Sequence, residues 1–404
     1  MIKIANCTFI MLLLITSLTG CWSRKEIPEL GIVLGMGIDK TDEDNFLVSY
    51  QVVDPGENTP RQSSGNRTPV SLFQARADNL FEAAWRATMT IPRKLYFSHI
   101  RILIISEELA KEGIKNVIDF MSRDHEMRPD FFVMIAKGHR AEDILKVLTP
   151  LEKIPANNMF DSLRMSEQNW APTYGLHLDK LINEIVTDGN EAALSGIRID
   201  GELEIAERRL NVEEINSPGK LVIEGISVFK GDKLIGWFNE VESKGFNYII
   251  DNVTYTAGQI ECPNGNGDKI AIEISSAKTK VDVKLQNEKP FFELEVDMIG
   301  NIGEVACKID LTKTENINAV EKLVGEKVKT LMETTIKKAQ QEYNSDVFAF
   351  GDTVYRTHPK AWKELSGNWD KEFPNLEVSI RTNVTLRSTG TLNNSFIQKL
   401  PVEK

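Results

Sequence analysis

The sequence predicts a multi-domain protein of mixed α/β and α+β class. Three patterns predict it: strand and helix signals that alternate in the first half, a strand–helix–strand order from His99 to Ala136, and a strand-rich second half with one long amphipathic helix. The chain has 404 residues, of which 41% are hydrophobic and 26% are charged. Such a chain is long enough for two or three globular domains.

The N-terminus has the order of features that is typical of a bacterial lipoprotein signal peptide. Lys3 provides a positive charge, Phe9–Leu18 is almost wholly apolar, and two small residues, the second of them Gly20, precede Cys21. We therefore predict removal of residues 1–20, cleavage between Gly20 and Cys21, and a diacylglyceryl group on the Cys21 thiol. A plain secretory signal peptide and a buried N-terminal helix are the alternatives, since the run is shorter than the roughly 20 residues of a spanning helix.

The residues that follow, 21–190, are predicted to form an N-terminal α/β domain. Its predicted elements are strands Gly31–Asp39 and Phe46–Asp54, a mobile loop Pro55–Pro69, a helix from Leu72 to Thr88, a strand His99–Ile105, a helix capped by Ser106 that reaches Met121, a strand Asp130–Ala136, a helix from Ala141, and two helical segments between Asn157 and Asp188. The strand–helix–strand order predicts a parallel strand pair with a right-handed crossover.

Residues 191–222 are predicted to be a strand-rich connecting segment or small domain. It contains predicted strands at Ala192–Ile199 and Leu203–Ile205, and an acidic, turn-rich stretch at Asn211–Gly219 marks its end. We therefore expect the second large domain to begin near residue 223.

Residues 223–404 are predicted to form a C-terminal α+β domain. Its predicted elements are a hairpin of Leu221–Lys230 and Lys233–Phe238, strands near Val253–Glu261, Ile270–Ser275, Thr279–Leu285 and Phe291–Ile299, a helix from Glu315 to Tyr343, and a strand at Leu376–Leu386. The helix has one apolar stripe, so we expect it to cover an antiparallel sheet. Trp362 and Trp369, with phenylalanines nearby, are expected to form a small aromatic core.

Two cysteines, Cys262 and Cys307, remain once Cys7 is removed and Cys21 is lipidated. A disulfide between them and two separate buried thiols are both open, because sequence does not supply the distance between their Cα atoms. Residues 305, 307 and 309 alternate as one face of a strand would, which favours two buried side chains.

The search for catalytic, metal or cofactor sites is negative. The five histidines, which show no metal-ligand spacing, are His99, His125, His139, His177 and His358. Hydrolase, zinc and phosphate-loop motifs are missing, so we expect no enzyme activity, no metal and no cofactor. The net charge of −11, from 48 basic and 59 acidic residues, argues against nucleic-acid binding.

Four local patterns resemble functional sites, and each has a plainer interpretation. Gly35 and Gly37 follow a strand signal without the third glycine of a dinucleotide site, so we expect strand-end or bulge residues. His99 and Arg101 are expected to share one solvated face of a strand. The acidic and histidine residues at 124–126 are expected in a solvated turn, and Trp22 is either a tether residue or lies at the lipid headgroups.

Several runs of the chain resemble the Ger(x)C spore germination lipoproteins, the C subunits of nutrient germinant receptors. They are Cys21-Trp22-Ser23-Arg24-Lys25-Glu26-Ile27, Gly35-Met36-Gly37-Ile38-Asp39, Phe97-Ser98-His99-Ile100-Arg101, Glu107 to Ile114, Gly225 to Leu234 with Gly236-Trp237, and Pro359-Lys360-Ala361-Trp362. The likeness covers nearly all of the chain after the signal peptide. Ser23 and Ser98 depart from an acidic residue and a glycine that are common in the family.

This resemblance implies a three-domain, non-enzymatic α/β body on the outer face of the spore inner membrane. It also implies a complex with two integral membrane subunits, an A-type subunit and a permease-like B-type subunit. A small-molecule ligand is not expected on this subunit. The ligand-binding residues, if the complex has any here, stay unknown.

Two other functions share parts of this pattern. A solute-binding lipoprotein of an uptake system has the same anchor and size, but it requires two doubly wound lobes and a hinge, which the second half does not predict. An anchored hydrolase requires a nucleophile and a base, and the sequence shows no such constellation.

Overall fold

The computed structural model describes residues 29–43, 45–53, 68–263 and 267–388. The predicted signal peptide with Gly20, the predicted lipidation residue Cys21, Trp22 and most of the predicted loop Pro55–Pro69 lie outside these residues. Within them, the strands form two mixed sheets, which agrees with the predicted fold class.

The first sheet consists of nine strands of the described chain. They are β1 Leu30–Lys40, β2 Phe46–Val53, β3 Val70–Ala77, β4 Lys94–Tyr96, β5 Ile102–Ser106, β6 Phe132–Ala136, β7 Ala193–Gly201, β8 Gly219–Lys230 and β9 Lys233–Phe238. Their order is β3-β2-β1-β5-β6-β7-β8-β9, and β4 pairs with the start of β1. The central strands β1, β5, β6 and β7 are parallel, and antiparallel strands flank them on both sides.

Strands β5 and β6 are almost wholly apolar because both of their faces are covered. Ile102 and Ile104 of β5 belong to one hydrophobic cluster, and Leu103 and Ile105 belong to the cluster on the other face. A parallel strand that is buried on both sides has this continuous apolar sequence. The predicted parallel pair of β5 and β6 is confirmed.

Helices cover both faces of the first sheet and continue into the second half. They are α1 Leu80–Arg86, α2 Glu107–Glu112, α3 Lys115–Arg123, α4 Ala141–Lys146, α5 Pro155–Asn169, α6 Leu178–Val186, α7 Leu203–Ala206, α8 Leu210–Glu213, α9 Glu240–Ile249, α10 Thr314–Lys338, α11 Phe350–Thr357, α12 Pro359–Leu365 and α13 Trp369–Glu372. Ser106 caps α2 as predicted, since its hydroxyl accepts a hydrogen bond from the Leu109 N–H.

The second sheet has four strands in the order β10-β11-β12-β13. They are β10 Thr256–Glu261, β11 Lys269–Gln286, β12 Lys289–Val305 and β13 Glu377–Ser388. The prediction of a wholly antiparallel sheet is wrong for the last pair, because β12 and β13 are parallel. Helix α10 lies between them in the chain and returns it to the same end of the sheet, which makes the strands parallel.

Two other local predictions are corrected. Leu72, Phe73 and Ala77 have helical spacing, but they lie in β3, where Phe73 pairs with Tyr50 of β2. Only the later part of the predicted helix forms α1. Leu203–Ile205 belongs to the short helix α7 rather than to a strand.

The sheets divide the chain later than the predicted limits at residues 190 and 222. Strands β8 and β9 form the predicted hairpin, and this hairpin extends the first sheet through β7 to Phe238. The second sheet begins at Thr256. The division at residues 190 and 222 stays a prediction about folding units, and the sheet boundary lies between residues 238 and 256.

Candidate functional site

Strand β1 brings the N-terminal segment into the first sheet. The predicted lipidation residue Cys21 lies outside the described residues, and β1 begins nine positions later at Leu30. Leu30 pairs with Lys94 of β4, and Gly31 pairs with Leu95. A lipid on Cys21 would therefore hold this end of the sheet close to a membrane.

The run Gly35-Met36-Gly37-Ile38-Asp39 is a packing motif in this structure. A Cβ at Gly37 would lie 2.9 Å from a Leu145 methyl group, so the glycines let α4 approach the strand closely. The Asp39 carboxylate accepts hydrogen bonds from the N–H groups of Ala141 (2.7 Å) and Glu142 (2.9 Å) at the start of α4. Burial raises the Asp39 pKa to about 6 against the opposite effect of these two donors. The glycines were predicted to be strand-end or bulge residues: the register shifts between Val33 and Gly35, whereas Gly37 lies in regular register inside β1 and at neither a strand end nor a bulge.

His99 and Arg101 are not on a strand, which corrects the prediction of a shared strand face. They lie in the turn between β4 and β5, where Ser98 donates a hydrogen bond to the Glu126 carbonyl (2.7 Å). The His99 ring contacts Tyr96, whereas the Arg101 guanidinium lies 4.9 Å from the centre of the Phe160 ring. The two side chains therefore have separate packing roles.

Hydrogen bonds connect the β8–β9 hairpin to helical segments that precede and follow it in the chain. The Asp232 carbonyl accepts a hydrogen bond from the Ile114 N–H (2.9 Å), beside the break between α2 and α3. That break falls at Gly113, whose φ of +137° favours glycine. The Tyr343 hydroxyl donates to the Trp237 carbonyl (2.9 Å), so the segment after α10 also holds this hairpin.

The predicted aromatic core around Trp362 and Trp369 is confirmed, and a buried carboxylate organises it. The two indole rings pack edge to face at 5.2 Å between centres. The Asp346 carboxylate accepts hydrogen bonds from the Trp369 Nε1–H (2.9 Å) and the Gly351 N–H (2.8 Å), and burial raises its pKa to about 6. These contacts make Asp346 a structural acceptor rather than an acid aimed at a substrate.

Cys262 and Cys307 form a disulfide, so the preference for two separate buried thiols was wrong. Their Cα atoms are 6.3 Å apart, within the range that a disulfide bridges. Cys262 follows β10 and Cys307 follows β12, and both strands pair with the start of β11. This pairing, which sequence alone does not reveal, brings the two thiols together. Residue 307 also lies beyond the end of β12 rather than on a strand face.

Neither a metal-binding cluster nor a membrane-spanning helix occurs in the part of the chain that the structure describes. No group of three histidine, cysteine or acidic residues there is placed to hold a metal ion. No helix there is long and apolar enough to cross a bilayer. Asp124, His125 and Glu126 lie in a turn after α3, as predicted.

Sequence reasoning missed an exposed apolar stripe on α1 and the turn that follows it. Phe81, Trp85 and Met89 recur at intervals of four and are largely exposed, whereas Leu80 and Ala83 face the core. The prediction grouped all the apolar residues of this helix as one pattern. The apolar positions of this helix form two stripes, whereas a helix that buries one face requires only one. The second stripe is the signal in the sequence that could have revealed this exposed surface.

Two family models match the chain. The first, described as "Spore germination protein N-terminal domain", matches residues 23–199. The second, described as "Spore germination B3/ GerAC like, C-terminal", matches residues 224–390, so the two together cover most of the chain. The chain belongs to the Ger(x)C family of spore germination proteins. A role related to spore germination follows from this membership.

Curated relatives of this Ger(x)C protein align along almost their whole length. Spore germination protein KC of Bacillus subtilis (strain 168) is 28% identical over 391 residues, covering 95% of this chain and 96% of the relative. Spore germination protein A3 of the same organism is 26% identical and covers 95% and 97%. Spore germination protein B3 is 22% identical and covers 96% and 99%.

A solved structure supports the fold of this Ger(x)C chain. The crystal structure of the GerBC protein superposes with a TM-score of 0.51 at 18% sequence identity, covering 88% of this chain and 96% of GerBC. At this identity the likeness concerns the fold.

Proposed function

We propose that this chain is a lipid-anchored, non-catalytic subunit of a spore nutrient germinant receptor. The observation that carries the proposal is the match of both Ger(x)C models, which cover the chain from residue 23 to residue 390 except for a short middle stretch. The lipoprotein pattern ends at Cys21, two positions before the first matched residue. The body then stands on the outer face of the spore inner membrane.

The mechanism in this proposal is positional. Each buried methylene of an acyl chain contributes about 0.8 kcal/mol, and stable anchoring takes two chains, which a diacylglyceryl group supplies. An anchored body meets its membrane partners at a high effective concentration. The partners in this proposal are the A-type and the permease-like B-type integral membrane subunits. Asp39 and Asp232, which lie in runs that resemble the family, make hydrogen bonds within the body. These residues therefore give no reason to assign a catalytic role to the body.

The architecture disfavours the solute-binding alternative. That class has two lobes with repeated strand–helix crossovers, whereas the second sheet here has a single crossover helix, α10, between β12 and β13. The hydrogen bond from the Tyr343 hydroxyl to the Trp237 carbonyl also ties the segment after α10 to the first sheet.

Deletion of the gene tests the proposed function. In a strain without paralogous receptors, we expect the deletion to abolish nutrient-triggered germination and to leave germination by a receptor-independent trigger intact. Reintroduction of the wild-type gene is expected to restore the nutrient response. A deletion strain that still responds normally to every nutrient would contradict the proposal.

A further inference from the structure

The exposed face of α1 carries three large apolar side chains in one line. Phe81, Trp85 and Met89, here called the outer stripe, are 64%, 64% and 83% exposed. The rings of Phe81 and Trp85 contact each other edge to face at 6.1 Å. Leu80, Ala83 and Ala87 occupy the buried side, so the core does not need the outer stripe. Contiguous exposed apolar surface of this kind marks an interaction site.

A groove extends the outer stripe towards α3. It encloses about 790 Å³, and its apolar lining includes Phe46, Leu95, Phe97 and Phe120. Three ion pairs lie around it, each joining a basic and an acidic side chain: Arg86–Glu82, Arg123–Asp119 and Lys94–Glu126. Asp78 and Asp124 also line the groove, so this surface has no net positive patch and its binding would rest on apolar contact rather than on attraction to anionic lipid.

The outer stripe runs towards the end of the sheet at which β1 begins. Met89 lies five residues before Lys94, which lines the groove and pairs with Leu30. Eight residues, 22–29, separate Cys21 from Leu30, and an extended chain of that length spans at most about 30 Å. A chain anchored through Cys21 therefore allows Met89 and Trp85 to reach the bilayer surface.

We propose that the outer stripe is a second membrane contact, in which Phe81, Trp85 and Met89 enter the headgroup region of the phospholipid bilayer that holds Cys21. The inference rests on the lipid anchor proposed above. Tryptophan is favoured at membrane interfaces, and an amphipathic helix buries its apolar face about 5–10 Å into this region. Two attachment points fix the orientation of the body, whereas the anchor alone leaves it free to rotate.

The chain allows a clean labelling experiment, because an added cysteine would be the one free thiol. Cys7 leaves with the predicted signal peptide, Cys21 carries the predicted lipid, and Cys262 and Cys307 form the disulfide. Met89→Cys places a fluorophore on the outer stripe. Leu151→Cys is the matched control: Leu151 is 96% exposed, and the neighbouring Ile154 packs in the cluster on the opposite face of the first sheet from α1. Each lipidated full-length variant is reconstituted into phosphatidylcholine vesicles.

Quenching by spin-labelled lipid is the readout. We expect quenching at position 89 to exceed that at position 151 by at least about threefold, because only the first probe reaches the headgroup region. Equal quenching at the two positions on vesicle-bound protein overturns the second contact and leaves the anchor standing. A probe at position 89 that is unquenched in pure vesicles but shielded in spore membranes overturns it in favour of a protein partner. Failure of the variants to float with vesicles overturns the anchor and this contact together.

Discussion

Single residues in the matched runs act through packing and hydrogen bonds. Gly37 lets α4 approach β1, and Asp39 accepts hydrogen bonds from the first N–H groups of that helix. Asp346 has the same role for α11. These two buried acids therefore organise helix starts, and their raised pKa values follow from burial rather than from a catalytic task.

Glu184 makes the stability of the body depend on pH. Its carboxylate accepts a hydrogen bond from the Tyr174 hydroxyl (2.8 Å), and burial raises its pKa from 4.5 to about 7. Between pH 4.5 and about pH 7, Glu184 therefore keeps its proton in the folded state, whereas it has lost the proton in the unfolded state. The resulting stabilisation is complete below pH 4.5 and is lost as the pH rises to about 7. For a pKa shift of this size, the free energy of unfolding falls by about 3 kcal/mol.

Urea unfolding between pH 4.5 and pH 8 of wild type and Glu184→Gln measures this effect. Gln keeps an oxygen that accepts from Tyr174 but does not ionise, so we expect its free energy of unfolding to fall less with rising pH. Glu108→Gln, at an exposed position of α2, is the matched control and is expected to follow the wild-type profile. A Glu184→Gln profile that overlays the wild-type profile would show that the buried carboxyl does not titrate in this range.

At the scale of elements, the disulfide links the residues that follow strands β10 and β12 of the second sheet. It closes a loop of 45 residues, for which the loss of chain entropy in the unfolded state corresponds to about 4 kcal/mol. We expect reduction, or the double change Cys262→Ala and Cys307→Ala, to lower the free energy of unfolding by about this amount. The double variant should be insensitive to reductant. A wild-type protein whose unfolding midpoint does not change with reductant would argue against the bond.

Elements that are defined by local patterns were predictable, and elements that depend on distant partners were not. The long helix α10, the β8–β9 hairpin and the cap at Ser106 follow from periodicity, turn residues and capping chemistry. Strand β3 was missed because the spacing of Leu72, Phe73 and Ala77 also fits a helix, and only pairing with β2 decides between them. The direction of β13 depends on its neighbour β12, which is distant in sequence.

The candidate functional residues also divide into those that a local sequence pattern indicates and those that depend on distant partners. Cys21 could be proposed as the lipidation residue because the signal for processing is a short linear pattern, and its lipidation stays a prediction. The outer stripe was not recognised, because the apolar residues of α1 look alike until the sheet shows which of them it buries. The disulfide needed the register of β10, β11 and β12.

For the whole molecule, the contact between Tyr343 and Trp237 joins the first sheet to the segment that follows α10. The proposed anchor at the N-terminus would therefore position both sheets beside the membrane subunits proposed as partners. We expect Cys21→Ala spores to show a strongly reduced nutrient response, and Cys7→Ala spores, altered in the predicted signal peptide, to respond normally. Time courses of nutrient-triggered germination compare the two, and equal responses would show that lipidation is dispensable.

The mass of the N-terminal peptide of the protein extracted from spore membranes tests the anchored-subunit proposal most directly. We expect the wild-type and Cys7→Ala proteins to begin at Cys21 and to carry the added mass of a diacylglyceryl group on that residue. The Cys21→Ala protein is expected to lack this mass. A wild-type chain that begins elsewhere, or that begins at an unmodified Cys21, would contradict the lipid anchor.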